Sequence, residues 1–133
     1  MKPRKKVILA IVALFLVIAA VIVVRFLPSY LEYQNAVAHM TLSHTDASNI
    51  PDGVYVGECD VSLIYAKVEV HVENNAITDI RILEHRNGRG ASAEKIAGEM
   101  VAQQRLDVDA VAGATNSSIV IKKAVDNALS GAR

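Results

Sequence analysis

An unbroken apolar run near the amino terminus constrains this chain more than any other feature. Residues 7–24 read VILAIVALFLVIAAVIVV, eighteen residues without a polar side chain. As an α-helix rising about 1.5 Å per residue, the run is about 27 Å long, close to the roughly 30 Å hydrocarbon core of a bilayer. Phe26 and Leu27 extend it beyond Arg25, whose charge can reach the headgroups. The run therefore predicts a transmembrane anchor over residues 7–27.

The charges beside this run predict its orientation. Four basic residues precede it, namely Lys2, Arg4, Lys5 and Lys6. The positive-inside rule then places residues 1–6 in the cytoplasm as a basic tail, and everything after Leu27 outside the cell membrane. A cleaved signal peptide is the alternative. Its apolar region would be only about 7–15 residues long and would end at a small-residue cleavage site, whereas Val-Val-Arg-Phe-Leu-Pro follows here.

The remainder of the chain is acidic and short. Residues 26–133 carry nine basic and fourteen acidic side chains, a net charge of −5. Sequence-independent nucleic-acid binding needs a basic face, so no nucleic-acid partner is predicted. A single cysteine, Cys59, excludes a disulfide scaffold within the chain. We predict a juxtamembrane stalk over residues 28–51 and one small domain over residues 52–133.

Alternating apolar and polar residues predict three strands in this domain. The predicted strands are Gly53–Asp60, Leu63–Val72 and Ile77–Leu83, with a tight turn at Asn74-Asn75. The residues predicted to face inward are Ala66, Val68, Val70 and Val72 on the second strand, and Thr78, Ile80 and Ile82 on the third. Consecutive hairpins of this kind form an antiparallel meander.

The periodicity then changes to that of helices. Ser92 is the predicted N-cap of a helix that ends near Gln104, with apolar residues at i, i+3, i+4, i+7 and i+8. Leu106–Val111 follows as a short strand, and a second helix runs from residues 115–118 to about Leu129. The predicted fold class is α+β: a meander of three strands plus a short strand, packed with two helices and preceded by one transmembrane helix.

The segment from Asp109 to Ser118, DAVAGATNSS, has a pattern suited to an anion. Gly113 permits close approach of the backbone, and Thr115, Ser117 and Ser118 bring hydroxyl groups to a helix start. The first amides of a helix and its dipole favour a phosphate. The residues alone leave two interpretations open, since Thr115 or Ser117 could instead cap the helix.

This segment resembles the flavinylation motif of the FMN-binding domain family, Asp-x-x-Ser/Thr-Gly-Ala-Thr followed by Ser or Thr. The resemblance extends from about Asp52 to Leu129 and includes the opening Asp-Gly-Val-Tyr-Val-Gly and the lead-in Leu-Asp-Val-Asp-Ala-Val. The family includes the peripheral FMN-carrying subunits of the Rnf complex and of the sodium-pumping NADH:quinone oxidoreductase, and small membrane-anchored proteins. The resemblance implies that FMN is the cofactor.

The resemblance also implies roles for individual residues. Thr115 would be bonded to the FMN phosphate by a separate flavin transferase that uses FAD and magnesium. The recognition positions would be Asp109, Gly113 and Ala114. The phosphate charge would face the N–H groups of Asn116, Ser117 and Ser118. Ala112 departs from the usual Ser or Thr of the motif.

A second stretch, Glu84–Ala91 (EHRNGRGA), joins the third strand to the first helix. Its two glycines would let backbone donors face a planar ligand, and its arginines could hold phosphate or offset the charge of reduced flavin. The pattern His-x-x-Gly-x-Gly resembles a loop of the short family members. The residues that this resemblance places beside FMN are His85, Gly88, Arg89 and Gly90. An ordinary strand-to-helix loop is the alternative.

Anchor and motif together predict an extracytoplasmic flavoprotein of the cell membrane that carries electrons. Its expected partners are the membrane, a flavin transferase and a quinone-linked membrane donor or other redox partner. The cofactor would supply the redox chemistry, so no catalytic side chain is predicted. Two other classes stay open: a module that binds FMN reversibly, and a flavin-free accessory or interaction protein.

Overall fold

The computed structural model describes residues 2–43, 46–88 and 90–132, so the predicted FMN contact Arg89 lies outside the described residues. The chain divides into two compact units that meet between Gln34 and Asn35. The helices are α1 (Pro3–Ala38), α2 (Ile96–Gln103) and α3 (Thr115–Ser130), with a 3-10 helix over Ala91–Lys95. The strands are β1 (Gly53–Asp60), β2 (Tyr65–Glu73) and β3 (Ala76–Arg86). This is the α+β class predicted from the sequence.

The first unit is the helix α1 up to Gln34. The helix is long and apolar enough to cross a membrane by its length and composition, and the large side chains of its apolar run are exposed. Pro28 lies inside the helix. Proline removes one backbone donor, but the helix continues through the position where the sequence predicts a stalk to begin.

The segment that follows Asn35 belongs to the second unit, although the sequence assigns it to the stalk. Among the described residues of this segment, Val37, Ala47 and Ile50 are buried. Two side chains of α3 hold its backbone. Lys123 Nζ donates to the Thr41 carbonyl oxygen at 2.9 Å, and the Ser43 N–H donates to both carboxylate oxygens of Asp126 at 3.0 Å. Asp126 is fully buried and its charge is paired with Lys123 at 2.7 Å, so this segment is tied to the domain.

The sheet has the order β1-β2-β3, with both pairs antiparallel, which confirms the predicted meander. The residues of β2 that face the core are fully buried, as predicted: Ala66, Val68, Val70 and Val72. α3 covers β1 and β2, while α2 packs on β3. The residues that α3 buries include Ile121, Ala124, Val125 and Leu129. Each fully buried side chain of valine size or larger contributes about 1.5–3 kcal/mol relative to exposure.

The first of two irregularities in β3 overturns a predicted orientation. Val72 pairs with Ile77, but His71 pairs with Asp79, so Thr78 is an extra residue on β3. A β-bulge of this kind shifts the alternation of side chains by one residue. Thr78, predicted to face inward, is therefore exposed, and Ile77 is buried in its place.

The second irregularity changes the direction of His85. Val68 pairs with Ile82, whereas Ala66 pairs with His85, so that Leu83 is the extra residue here. Without the bulge, strict alternation from Ile82 would turn His85 outward. The bulge instead places His85 opposite Ala66, on the face of the sheet that is buried.

The predicted short strand over Leu106–Val111 is wrong, because this described segment is irregular. A side chain meets the free edge of β3 instead. Gln104 Oε1 accepts the Ile77 N–H at 2.8 Å, and Gln104 Nε2 donates to the Ile77 carbonyl oxygen at 2.7 Å. Gln104 has a φ of 52° as the C-cap of α2. Its amide makes the two bonds that a neighbouring strand would make at Ile77.

The start of the first helical segment also differs from the prediction. Ser92 lies inside the 3-10 helix, and Gly90 precedes that helix as its N-cap. The predicted apolar stripe is nevertheless buried at Ala93, Ile96, Ala97 and Met100. α3 begins and ends within a residue or two of its predicted bounds. The prediction succeeds because apolar residues recur with the helical period along this part of the sequence.

Candidate functional site at the start of the last helix

A tight turn leads into α3 and fixes the position of its first residue. The Ala114 N–H donates to the Val111 carbonyl oxygen at 2.9 Å and closes a four-residue turn. Gly113, the third residue of this turn, has a φ of +79°, the value that a type II turn requires there. Space is not the reason for the glycine, since a β-carbon at Gly113 would meet none of the described atoms within 4 Å. Thr115 follows this turn as the first residue of the helix and is exposed at the surface.

The three hydroxyl side chains of this helix start differ in exposure. Thr115 is exposed, whereas Ser117 is 2% exposed and Ser118 is fully buried. Ser118 Oγ donates to the Ala114 carbonyl oxygen at 2.8 Å and accepts the Val111 N–H at 3.0 Å. The Ser118 hydroxyl therefore ties the turn to the helix, which leaves Thr115 as the accessible hydroxyl among the three.

Thr115 and Ser117 do not cap α3, so that alternative is wrong. Ala114 occupies the N-cap position, and no capping bond from a side chain forms in the part of the chain that is described. The Ser118 N–H donates to the Ala114 carbonyl oxygen at 2.9 Å, so this amide, which the sequence assigned to a phosphate, is already bonded. The half-buried Asn116 lies in the same first turn. Amides that precede the first intrahelical bond lie at the positive end of the helix dipole, where an anion is favoured.

The two stretches that the sequence singles out meet in space. A β-carbon on Gly90 would lie 2.6 Å from the Ser117 Cβ and closer still to its Oγ. The Gly90 N–H donates to Asn87 Oδ1 at 3.0 Å, and its carbonyl oxygen accepts the Ala93 N–H at 2.9 Å. Gly90 therefore allows the loop to approach α3 closely, and its amide hydrogen is already bonded to the Asn87 side chain. Gly88 is exposed on the same loop.

His85 belongs to β3 and is covered, rather than lying in an open loop. Its side chain is 2% exposed, and its Nδ1 lies 3.1 Å from Glu94 Oε1 and 3.3 Å from Asn87 Nδ2. Its other ring nitrogen, Nε2, is buried and makes no hydrogen bond with any described residue. Buried polar atoms are nearly always bonded in folded proteins, so this nitrogen is a position that a ligand could satisfy.

Asp109 is exposed in the irregular segment between α2 and α3, two residues before the turn. Earlier in this segment, Arg105 bonds both oxygens of Asp107 at 2.7 and 2.9 Å. That hydrogen bond is the main reason why the pKa of Asp107 is lowered and the pKa of Arg105 is raised. The charge of Asp109 raises the pKa of Arg105 further. Since these groups are exposed, the pair adds little stability, and Asp109 remains accessible at the surface.

Two polar residues of this region are not predicted from the sequence. Asn87 contacts both His85 and Gly90, while Glu94 reaches His85 from the 3-10 helix. The dipeptide Asn87-Gly88 is a turn signal and could have indicated a structural asparagine. Glu94 has no such signal, because its contact depends on the chain folding back over the end of β3.

One comparison with known proteins identifies the domain. The sequence pattern of the FMN-binding domain family matches residues 64–130, which is half of the chain. The match covers β2, β3 and all the predicted site residues, and it begins after β1. No curated protein matches the chain. The chain therefore belongs to the FMN-binding domain family, and its cofactor is FMN.

Proposed function

We propose that the chain is a membrane-anchored, extracytoplasmic electron carrier whose FMN is joined through its phosphate to Thr115. The observation that carries this proposal is the exposure of Thr115 beside two buried serines. A modifying enzyme must reach the oxygen that it modifies. Ser117 is covered by the loop at Gly90, and Ser118 is engaged with the turn, so the motif offers Thr115.

The residues around Thr115 fit a phosphate ester. An ester between Thr115 and FMN keeps one negative charge, which lies at the positive end of the 16-residue helix α3. The helix dipole stabilises such a charge by about 0.3–1 kcal/mol at an exposed position. A β-carbon on Gly113 would meet no described atom within 4 Å, so this side of the turn leaves room for the group.

The attachment step requires little of this chain. Thr115 Oγ forms a bond to the phosphorus on the FMN side of FAD while the pyrophosphate bond breaks and AMP leaves. The hydroxyl proton passes to the flavin transferase or to solvent, and the transferase supplies the magnesium. Thr115 is thus an acceptor in a single modification and needs no catalytic base beside it.

The chain's own residues then position the cofactor. When bound, FMN supplies reversible uptake and release of electrons. The start of α3 would hold its phosphate, and α1 would keep the domain at the membrane surface, where a quinone-linked donor is available. The segment after Asn35 is tied to α3 through Asp126 and Lys123.

Mass spectrometry of the flavinylated peptide tests the attachment. The chain is coexpressed with a flavin transferase, and trypsin releases residues 106–122, which contain Thr115 and both serines. We expect the mass of this peptide to increase by one FMN ester, with the modification localised to Thr115 by fragmentation. Thr115→Ala should abolish the adduct, whereas the matched control Ser117→Ala should retain it.

Two results would contradict the attachment. A yellow protein that loses all its flavin on denaturation would be a reversible FMN-binding module. A colourless protein made beside an active transferase would favour the flavin-free alternative. The carrier role itself fails if the loaded protein, mixed with membranes and a quinol-linked donor, never alternates between oxidised and reduced absorbance spectra.

Labelling of single cysteines in intact cells tests the orientation. In a Cys59→Ser background, a cysteine introduced by Asp52→Cys should react with a membrane-impermeant maleimide. The control, Lys2→Cys, should react only after the membrane is permeabilised. The reverse pattern would place the domain in the cytoplasm.

A further inference from the structure

Part of one sheet edge is open along strand β1. In the β1–β2 hairpin the Val61 N–H donates to the Ile64 carbonyl oxygen at 3.0 Å. Bonded and non-bonded pairs alternate along an antiparallel ladder, so Val54 and Val56 direct their N–H and carbonyl groups away from β2. β1 is the first strand in the order of the sheet, and no described residue bonds these four groups. The edge of β1 is therefore unpaired at these two valines in the part of the chain that is described.

Farther along β1, a side chain closes the same edge. The Glu58 carbonyl oxygen, which belongs to the same alternating set, accepts a hydrogen bond from Asn127 Nδ2 at 2.8 Å. The open part keeps two apolar side chains at the surface, since Val54 is 56% and Val56 is 53% exposed. An edge strand with free backbone groups and exposed β-branched side chains is a template for the addition of another strand.

A groove of about 400 Å³ adjoins the start of this edge. Val54 and His71 line it together with two carboxylates, Asp52 and Glu73. Both acidic residues are exposed, and neither forms an ion pair with a described residue. Asp52 Oδ1 instead accepts the backbone N–H of Asn74 at 2.8 Å. The groove therefore adds uncompensated negative charge to one end of the open edge, and the complementary group is a cation.

The acidic residues oppose pairing of this edge with a second copy of the chain. One antiparallel register sets Val54 opposite Val56 of the second copy, and in that register Asp52 lies opposite a glutamate, Glu58. In the register that sets Val56 opposite itself, Asp52 lies opposite Asp60. Like charges directly opposite each other destabilise a pair of strands. The occupant that fits this edge is therefore a different chain, with a basic residue opposite Asp52.

We propose that the β1 edge binds an extended segment of a partner protein by strand addition, and that a lysine or arginine of this segment lies in the groove beside Asp52 and Glu73. The backbone groups of Val54 and Val56 then bond the main chain of the segment, and their side chains contact its apolar residues. The segment has β-branched residues at alternate positions and a basic residue two positions beyond them. None of the residues assigned to FMN takes part, so this interaction is independent of the cofactor.

A short peptide tests the proposal on the full chain in an uncharged detergent. Its sequence is acetyl-Thr-Val-Thr-Val-Thr-Lys-amide, which in an antiparallel pair sets its valines opposite Val56 and Val54 and its lysine opposite Asp52. The comparison peptide has glutamate in place of lysine. We expect the dissociation constant of the lysine peptide, measured by calorimetry, to be about three- to tenfold lower, as for exposed ion pairs. Equal affinities, or no binding of either peptide, overturn the proposal.

Substitutions in the groove test the contact with the basic residue. Asp52→Asn combined with Glu73→Gln removes both negative charges, and the asparagine oxygen can still accept the Asn74 N–H. The lysine peptide should bind this chain about three- to tenfold more weakly, whereas the glutamate peptide should lose no affinity. Glu84→Gln is the matched control, because Glu84 is an exposed carboxylate of β3 that does not line the groove. An equal loss in both variants would show a general effect of charge and overturn the role of the groove.

Hydrogen exchange locates the bound peptide. The amides of Val54 and Val56 should exchange more slowly when the lysine peptide is bound. The amides of Tyr55 and Gly57, which face β2 in the ladder, should not change. If the peptide binds without protecting Val54 and Val56, it binds elsewhere and the proposal fails.

Modified peptides and the chain concentration complete the test. Methylation of the N–H groups of the two peptide valines, which face β1, should abolish binding. Methylation of the N–H groups of its last two threonines, which face away, should not, and equal losses would contradict strand addition. If protection of Val54 and Val56 rises with the concentration of the chain alone, the occupant is a second copy and the proposal is overturned.

Discussion

Gly90 and Ser117 are in such close contact that the site cannot accommodate a side chain at position 90. A β-carbon there would overlap the Ser117 hydroxymethyl group, with 2.6 Å between the two β-carbons. Gly90 ends the loop after β3, and Ser117 lies in the first turn of α3. This contact therefore sets the distance between the two parts of the chain that we propose to hold FMN.

Gly90→Ala should destabilise the domain by about 1–3 kcal/mol, because the added methyl group forces the loop and α3 apart. The measurement is the free energy of unfolding of the full chain by denaturant in detergent. Gly88→Ala is the matched control: Gly88 is exposed, and a β-carbon there would meet no described atom within 4 Å. Its effect should stay within about 0.5 kcal/mol. If the two variants have the same free energy of unfolding, the loop accommodates the added methyl group without loss of stability.

Gly113→Ala should also destabilise the domain, for a conformational reason. Gly113 has a φ of +79°, and an alanine held in this left-handed region costs about 1–2 kcal/mol. Gly113→Asn should cost less, because asparagine adopts positive φ more readily. Thermal unfolding of the three proteins gives the order. If alanine is tolerated as well as glycine, the turn before Thr115 is not held in this conformation.

The regular parts of the fold are predictable because their signals are local. β1 has its predicted bounds, and the alternating residues of β2 are buried as expected. Side-chain direction alternates every residue in any regular strand, so a short window of sequence contains the information. The apolar stripe of α3 follows the same logic with the helical period.

The parts that sequence reasoning misses depend on contacts between distant segments. The bulges at Thr78 and Leu83 are defined by the pairing of β3 with β2, and neither residue type marks a bulge. The missing fourth strand has a similar cause. Leu106 and Val108 are buried as a strand residue would be, but Gln104 already occupies the edge of β3 at Ile77.

The candidate site also combines features that the local sequence predicts with features that depend on distant contacts. The hydroxyl cluster and the glycine of the turn are visible in the sequence. That Thr115 is exposed while Ser117 is covered follows from the contact with Gly90, which lies 27 residues earlier. The burial of His85 depends on the register of the sheet, so no local pattern predicts it.

The side chain of Gln104 offers a test of the sheet edge. Gln104→Ala removes both side-chain bonds to Ile77, so the N–H and the carbonyl oxygen of Ile77 lose these partners. We expect the free energy of unfolding to fall by about 1–3 kcal/mol. Gln103→Ala is the control, because the Gln103 side chain bonds only to the exposed Glu99 side chain among the described residues. It should change the free energy of unfolding by less than about 0.5 kcal/mol. Hydrogen exchange at the Ile77 amide should accelerate in the first variant and not in the second.

The Tyr65 hydroxyl should ionise only at an unusually high pH. Its hydroxyl donates to Glu58 Oε2 at 2.7 Å, and this bond, followed by desolvation and the charges of Glu58, Glu84 and Asp60, raises the pKa of Tyr65 from 10.0 to about 12. The folded domain thus favours the protonated hydroxyl. The contact stabilises the fold fully below pH 10, and its contribution is lost as the pH rises towards 12.

Ultraviolet titration of tyrosinate absorbance follows the ionisation of Tyr65. Glu58→Gln keeps an oxygen acceptor but removes the negative charge, so the pKa of Tyr65 should fall towards its ordinary value. Glu84→Gln removes a charge that acts only through space and should lower the pKa less. Tyr65→Phe should remove the ionisation step near pH 12 from the titration. If that step remains in the Tyr65→Phe chain, it does not belong to Tyr65, and the Glu58 bond does not control it.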